Sequence, residues 1–502
     1  MAGRVGPRPE ARAKSFIKLP RLRECKITRR TYPYASFNLD HTHLAWTHNG
    51  CLCNDLVALT HRHQVDTPPV DLPLSDVDVF LNRLRLGVSL LPMKRWKVVR
   101  GYHGQWRAKY QAAHKERDET GLLHKHRLVR FFNKADLEMS KPLKPPRAIQ
   151  YRHPVFALEQ ARYTKAVEQW FYKVKDEYDT YIVGKSDPFT IASELHKKSG
   201  AFSQPVYLLL DASKFDSCVD VKWLRLMMEF YCKLFPARDS RRIRWLWTRT
   251  FENSGRSRSG LTYKTHGTRM SGDMDTGLGN SLIMWSMLKL YLTNNGIYKH
   301  SIMVNGDDSV IVIERSQLSA SRNISIFHSL GFNMKFEVAL EFNQLEFCQA
   351  RPIFTDYGWT MARRPERVLG RTSWSVNNYG RSKMRAFIHT LGLCERAASW
   401  GVPIASTLAT KMIQATPGAA RIRLSPWLEE HYNRMRRWWK LGEPTISLET
   451  RQNFADAWGI SVEEQYHIER SIKISVNAVP TEVQLCEYHE LIHTANPSQV
   501  GV

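Results

Sequence analysis

The sequence predicts a mixed α/β fold of the α+β type, with antiparallel strands and helices around shared cores, on three observations. Residues 205–210 are a short continuous apolar run, Pro-Val-Tyr-Leu-Leu-Leu, with the length and character of a buried strand. Residues 281–293, SLIMWSMLKLYLT, are apolar on nearly every side, which suits a helix enclosed by protein, and Asn294-Asn295-Gly296 stops it. Two apolar runs, Ile302–Val304 and Val310–Ile313, flank Asn305-Gly306-Asp307-Asp308, and Asn-Gly between such runs is the strongest short-range signal for a tight hairpin.

The chain has 502 residues, 43% of them hydrophobic, which is enough for more than one domain and excludes a disordered polyelectrolyte. Its formal net charge is +25, and the cations are spread along the chain rather than gathered in a tail. Basic surfaces built into the fold are expected, with nucleic acid the first partner and anionic membrane the second. The eight cysteines are irregularly spaced behind an N-terminus without an apolar secretory stretch, so they read as reduced thiols. Ala2 stands where myristoylation needs glycine, and no run approaches the ~18 apolar residues of a membrane span.

In chain order, residues 1–40 read as a basic, extended arm. Residues 41–63 hold His41, His43, His48, Cys51, Cys53, His61 and His63, but neither the Cys-x-Cys nor the His-x-His spacing is a zinc knuckle. The competing reading is a buried cysteine pair near an amphipathic helix. Val77, Phe80, Leu81 and Leu84 share one helical face. Between 131 and 154, Lys134, Lys141, Lys144, Arg147 and Arg152 are interleaved with Pro142, Pro145 and Pro146. Proline stiffens such a segment, which is either a solvated basic loop or an arm presenting cations to a polyphosphate. Asp211 falls where the 205–210 strand ends, as a helix cap or a ligand, and Asp216 lies near the start of the next helix.

Residues 267–280 form a Gly-rich polar loop with Ser271, Gly272, Thr276 and Asn280 at the mouth of the buried helix; no Walker lysine is present. Adjacent Asp307 and Asp308 repel each other, so the hairpin either is an ordinary solvated turn or gathers a hard divalent cation such as Mg²⁺. A helix over 316–330 follows, then a turn at Gly331 and a short strand with Lys335. Residues 345–352, with Cys348 and Gln349, and 359–362 suggest a second hairpin. From about 366 the chain reads as helical and basic, densest at 434–440, where charge and stacking could bind RNA or form an amphipathic surface helix.

Each carboxylate is ambiguous alone, but their order is not. An aspartate ending a buried strand, a hydroxyl- and amide-bearing loop and an aspartate pair in a hairpin suit two-metal phosphoryl transfer, and Asp216, Thr276 and Asn280 suit recognition of a ribose 2′-hydroxyl. Asp211-x4-Asp216, Ser271-Gly272-x3-Thr276-x3-Asn280 and Gly306-Asp307-Asp308 resemble the palm motifs of viral RNA-dependent RNA polymerases. MSGDMDTGLGNSLIM (270–284), NGDDSVIV (305–312), LEFCQARPI (345–353) and KPPRAIQYRHP (144–154) look like those of the tombusvirus-like group. Weaker similarity extends the resemblance over roughly 45–470.

The resemblance implies a right hand. Residues 1–204 would be the N-terminal arm and fingers, 205–235 and 267–365 the palm, 236–266 a fingers insertion and 366–502 the thumb. It implies Asp211, Asp307 and Asp308 as ligands of two Mg²⁺ or Mn²⁺ ions and Lys335 as the general acid protonating pyrophosphate. Asp216, Thr276 and Asn280 would sense the ribose, and Ser271 and Gly272 would line the template–nucleotide pocket. Lys134, Lys144, Arg147 and Arg152 would hold the triphosphate, while Cys348 and Gln349 would steady the nascent RNA end. RNA template, nascent strand and NTPs are the implied partners. Other replication factors, in membrane-associated complexes of the host cytoplasm, would complete them, through recruitment or as part of a longer product. Asp275 and Gly277 depart from the plant-virus pattern. The competing functions are a reverse transcriptase, which the Thr276/Asn280 pair disfavours, and a non-catalytic basic RNA-binding protein, which leaves the carboxylates unexplained.

Overall fold

The computed structural model describes residues 15–18, 29–38, 46–48, 50–134, 137–138, 145–422, 443–477 and 481–483; Lys144, His41, His43 and the basic run 434–440 lie outside these. The strands that shape the site are β1 (Ser15–Lys18), β2 (Val129–Asn133), β3 (Ala148–Arg152), β4 (Pro205–Ala212), β5 (Glu252–Ser257), β6 (Thr262–His266), β7 (His300–Asn305), β8 (Asp308–Glu314), β9 (Met334–Ala339), β10 (Ala350–Thr355) and β11 (Gly358–Arg363). The helices are α1 (Leu52–His63), α2 (Pro154–Phe171), α3 (Val221–Leu234), α4 (Thr276–Asn294), α5 (Arg381–Ala398), α6 (Ala405–Gln414) and α7 (Leu448–Trp458).

The central sheet is antiparallel, in the order β7-β8-β4-β9. One face, with Val206, Leu208, Leu210, Ile311 and Ile313, packs on α3 and α4 through Trp223, Met227, Leu282 and Leu288. The other, with Tyr207, Met303, Val310 and Val312, is covered by Leu195, Phe347 and Met361. Covered on both sides, β4, β7 and β8 are continuous apolar runs, whereas the edge strand β9 alternates, with Lys335 and Glu337 exposed. Beside β7 lies a buried cation: Lys198 Nζ donates to Asp176 Oδ2 at 2.9 Å, Thr180 Oγ1 at 2.7 Å and Ser301 Oγ at 3.0 Å. All three ammonium protons are thereby used, which is what makes its burial tolerable.

A second sheet runs β1-β6-β5-β2-β3, antiparallel except for the parallel pair β2 and β5. Its inner face, with Val129, Phe131 and Tyr263, packs on Leu56 and Leu59 of α1. Cys51 and Cys53 are buried in that same apolar cluster, so they act as small core residues. Farther along, Ile388, Leu408 and Phe454 join α5, α6 and α7 around a third core.

Two local expectations are corrected. The segment 316–330 is not one helix: Arg315–Gln317 and Ala320–Arg322 are 3₁₀ turns and only Ser325–Ser329 is α-helical. Ser321 Oγ donates to the Leu318 carbonyl and Ser325 Oγ to Asn323 Oδ1, local bonds that compete with helix formation. The β7–β8 turn is also displaced by one residue. Asn305 pairs with Asp308 inside the ladder, and Gly306-Asp307 occupy the two central positions, with Gly306 at φ +69° and Asp307 in the ordinary range. This is a glycine-first turn, and it leaves Asp307 at the tip.

Candidate active site

Strand pairing sets Asp211 of the inner strand β4 between Asp308 on β8 and Lys335 on β9. Residues paired across a ladder point to the same face about 5 Å apart, so the three side chains form a row. Lys335 Nζ is 4.0 Å from Asp211 Oδ2, and both side chains are more than half exposed. The turn bearing Asp307 is braced from below, because Gly306 N donates to Ser281 Oγ at 2.8 Å and Ser281 donates to the Gly277 carbonyl at 2.8 Å. Ser281 had no local signal in the sequence beyond its place in an apolar helix.

The carboxylates disturb one another. Burial, then Asp307 and Asp211, raise the Asp308 pKa to about 7. Asp307 is accessible at the turn tip, yet loss of hydration in the cleft, followed by the charge of Asp216, raises its pKa as well. These are hard oxygen donors whose ionisation is opposed by crowding, the electrostatic condition that a divalent cation relieves.

Cys348 completes the wall. It and Gln349 form a two-residue turn closed by hydrogen bonds between Phe347 and Ala350 in both directions, 2.9 and 3.1 Å. Both have positive φ, +52° and +61°. The Cys348 sulfur accepts from Asn305 Nδ2 at 3.3 Å and the thiol bonds the Asp308 carboxyl, while burial and that charge push the thiol pKa up. The structure thus places Cys348 against Asp308.

Asp216 is not a helix cap; Asp220 caps α3, accepting from Trp223 N at 3.1 Å. Instead Asn280 Nδ2 donates to Asp216 Oδ1 at 2.6 Å, and Arg62 pairs with the other oxygen. Asn280 Oδ1 is buried without a partner among the described groups. Arg62, from the last turn of α1, is a residue that sequence reasoning missed. Its neighbour His63 anchors that turn through Gln150 Nε2 at 2.7 Å and Thr268 Oγ1 at 3.2 Å, and burial lowers its pKa to about 3, so it is neutral. Thr276 stands apart from Asp216 and Asn280 in its bonding, donating to the Met270 carbonyl at 2.7 Å.

The loop before α4 is fastened to β3. Gln150 N donates to Ser271 Oγ, which donates to the Ala148 carbonyl, both at 3.0 Å. Gly272 N donates to the Gln150 carbonyl at 2.7 Å, and a Cβ on Gly272 would lie 2.6 Å from that oxygen. Asp275 is buried in an ion pair with Arg269 at 3.0 Å and accepts from Trp247 Nε1 at 3.0 Å. Gly279 lets Arg269 through, since a Cβ there would meet its guanidinium at 2.8 Å.

The basic arm divides. Arg147 and Lys134 are exposed at the Asn133/Ala148 end of the β2–β3 pair, with Lys134 N donating to the Arg147 carbonyl at 2.9 Å. Arg152 corrects the expectation that it holds a triphosphate. It is buried, with Nε on Asp273 Oδ1 at 2.7 Å, Nη1 on the Arg127 carbonyl at 2.9 Å and Nη2 on Asn253 Oδ1 at 2.5 Å. Its guanidinium is committed to a structural network.

Among the described residues, Glu116, His126 and His153 bring three ligand-type atoms within 4.8 Å of one another. Their bonding does not suit a metal. Nδ1 of His126 accepts from Leu123 N at 3.0 Å and Nδ1 of His153 from Val155 N at 3.4 Å. A neutral imidazole binding metal through Nε2 must carry its proton on Nδ1, where both rings meet donors. The Nε2 atoms therefore carry the protons and face Glu116.

A family model described as viral RNA dependent RNA polymerase matches residues 23–476. The chain belongs to the viral RNA-dependent RNA polymerase family. Among curated relatives, it is 30% identical over 384 residues to the RNA-directed RNA polymerase of Groundnut rosette virus (strain MC1), covering 73% of this chain and 44% of that protein. It is 29% identical over 355 residues to that of Cymbidium ringspot virus, covering 68% and 42%. For Tobacco necrosis virus (strain A) the figures are 29% over 401 residues, 75% and 53%. The chain thus spans about half the length of the curated relatives it matches, and the tombusvirus-like affinity expected from its motifs is met.

Proposed function

We propose that the chain is an RNA-directed RNA polymerase that copies a viral RNA genome from NTPs. One observation carries this reading: the ladder sets Asp308 beside Asp211 with Asp307 at the adjoining tip, next to the Asp216–Asn280 pair. A right-handed arrangement, with palm 205–235 and 267–365, fingers 1–204 and 236–266 and thumb 366–502, is part of the proposal. The two-sided packing of the central sheet supports it.

Asp211, Asp307 and Asp308 would hold two Mg²⁺ or Mn²⁺ ions. When bound, such ions lower the pKa of the attacking 3′-hydroxyl and neutralise charge on the leaving pyrophosphate. Lys335, in register with Asp211, supplies a proton to the leaving group. Asn280 and Asp216, oriented by Arg62, read the ribose 2′-hydroxyl, and the buried, unpartnered Asn280 Oδ1 supports that role. Arg147 and Lys134 meet the triphosphate from the Asn133/Ala148 end of their strands. Ser271, Gly272 and Thr276 shape the pocket floor, and the Cys348-Gln349 turn lies where a nascent 3′ end would be steadied. The place of action would be the host cytoplasm, with other replication factors at membranes; among the described residues no helix is long and apolar enough to cross one.

The experiment offers purified protein an RNA template, Mg²⁺ or Mn²⁺, and labelled NTPs or dNTPs, with Asp307→Asn in parallel. Template-dependent NTP incorporation that the variant loses is expected. Preference for dNTPs would identify a reverse transcriptase, and RNA binding without synthesis in either protein a non-catalytic binder.

A further inference from the structure

Residues 79–115 contain no acid, while nine of them are arginine or lysine. The same stretch carries exposed hydrocarbon. Leu84, Val88, Leu90 and Met93 pack on the main core, but Leu86, Leu91 and Trp96 are 75%, 66% and 48% exposed. A single exposed leucine is ordinary. Three large apolar side chains so close in the chain, set among cations, mark an interaction surface.

The stretch is fastened to the protein beneath it. Leu90 N donates to the Leu234 carbonyl and Met93 N to the Arg162 carbonyl, both at 2.8 Å. The short helix Arg95–Arg100 buries Val98 and Val99 in a cluster with Tyr110 and Leu158, which leaves Trp96, Lys97 and Arg100 exposed. Arg95 is committed to Asp118 at 3.0 Å and to Glu159 at 3.5 Å. Lys94, Lys97, Arg100 and Lys173 form no ion pair with any described residue. Lys97 Nζ lies 5.8 Å from the Trp96 ring centroid, and Lys97 also lines a cavity of about 450 Å³ with Lys173, Met93 and Trp106. The one acid of that cavity, Glu168, is taken by Lys165 at 2.6 Å.

The chemistry of the patch separates the partners that carry negative charge. RNA stacks on rings and gains nothing from exposed leucines. The buried centres of protein interfaces are depleted of lysine. A bilayer uses every part: tryptophan settles at the headgroup level, leucines enter the acyl boundary, and lysine stems lie on apolar surface with their ammonium groups at lipid phosphates.

We propose that the 86–100 surface docks the chain directly on an anionic membrane. Leu86, Leu91 and Trp96 enter the bilayer surface, Lys94, Lys97 and Arg100 meet lipid headgroups, and the adjoining cavity seats one headgroup between Lys97 and Lys173. The inference does not depend on the polymerase reading, and none of its residues belongs to the carboxylate cleft.

The test mixes the whole chain with sucrose-loaded vesicles of phosphatidylcholine and phosphatidylserine, and with phosphatidylcholine alone, and reads the bound fraction after sedimentation. Because the chain carries a net charge of +25, charge is removed both at the site and away from it. Lys94→Gln, Lys97→Gln and Arg100→Gln together should lower partitioning into the mixed vesicles about a hundredfold, the effect of three cations at a headgroup surface. Arg322→Gln, Arg381→Gln and Lys383→Gln remove equal charge from exposed positions elsewhere and should change it less than about threefold. Leu91→Ala with Trp96→Ala should lower it about tenfold or more, and Trp96→Phe alone should keep most of the binding. Thermal melts check that each variant remains folded. Equal losses in the two glutamine triples would reduce the interaction to net charge and overturn the site, as would equal binding to phosphatidylcholine alone. Vesicle binding that survives the Leu91 and Trp96 pair would assign the patch to RNA or to protein instead, and overturns the membrane. RNA synthesis by the same preparations is read separately and bears on the polymerase reading alone.

Discussion

Asp308 stands between two other carboxylates and against Cys348, and its pKa of about 7 is set first by burial, then by Asp307 and Asp211. The sign of its effect on stability follows directly. The folded-state pKa is raised, so between about pH 4 and 7 the unfolded chain releases a proton that the folded chain retains, and stability falls as pH rises through that window. Asp308→Asn should therefore raise the melting temperature at pH 8, by on the order of 2 °C, while abolishing synthesis. Thermal melts at pH 5 and pH 8 check it: the gain should shrink at the lower pH. Arg62 offers a second residue-scale test. It holds one oxygen of Asp216 while Asn280 holds the other. A charged hydrogen bond contributes roughly 1.5–3 kcal/mol, so Arg62→Ala should reduce the NTP/dNTP incorporation ratio by about tenfold or more, with Arg62→Lys intermediate. An unchanged ratio would separate Arg62 from sugar selection.

Among elements, the informative contrast is between segments whose signal is local and those fixed at long range. The β7–β8 hairpin was legible because apolar run, turn and apolar run are contiguous, although the turn centre fell one residue later than Asn-Gly suggested. Asp211 was legible as the end of an apolar run. Arg152 was not: it looked like one more cation in a basic arm, and the partner that claims it, Asp273, is 121 residues away. Arg62 was silent for the same reason, being 154 residues from Asp216. A lone arginine carries no mark of which carboxylate it will meet. The element-scale prediction follows from Arg152: with its side chain removed, Asp273 is left as a buried carboxylate whose pKa burial already raises. Arg152→Ala should cost about 3–5 kcal/mol in urea unfolding, and Arg152→Ala with Asp273→Ala should recover part of that. Additive losses would show that the pair is not coupled.

At the scale of the molecule, the proposed metal site would couple cation, proton and fold. Three acids converge from one inner strand and one hairpin turn, and the sheet that carries them is covered on both faces, so they cannot relax apart without moving the core. A cation that binds only the folded chain stabilises it by mass action, about 2.7 kcal/mol at a hundredfold excess over its dissociation constant. Mg²⁺ should thus raise the melting temperature by on the order of 2 °C. Because the cation must bind Asp308 in its ionised form, and that form is favoured only above about pH 7, the Mg²⁺ increment should be larger at pH 8 than at pH 6. Asp211→Asn should abolish it at both pH values, whereas Glu116→Gln, in the histidine cluster whose tautomers oppose a metal, should leave it intact. A Mg²⁺ increment that is the same at pH 6 and pH 8, or that survives Asp211→Asn, would place the cation elsewhere and remove the ladder from the metal's binding site.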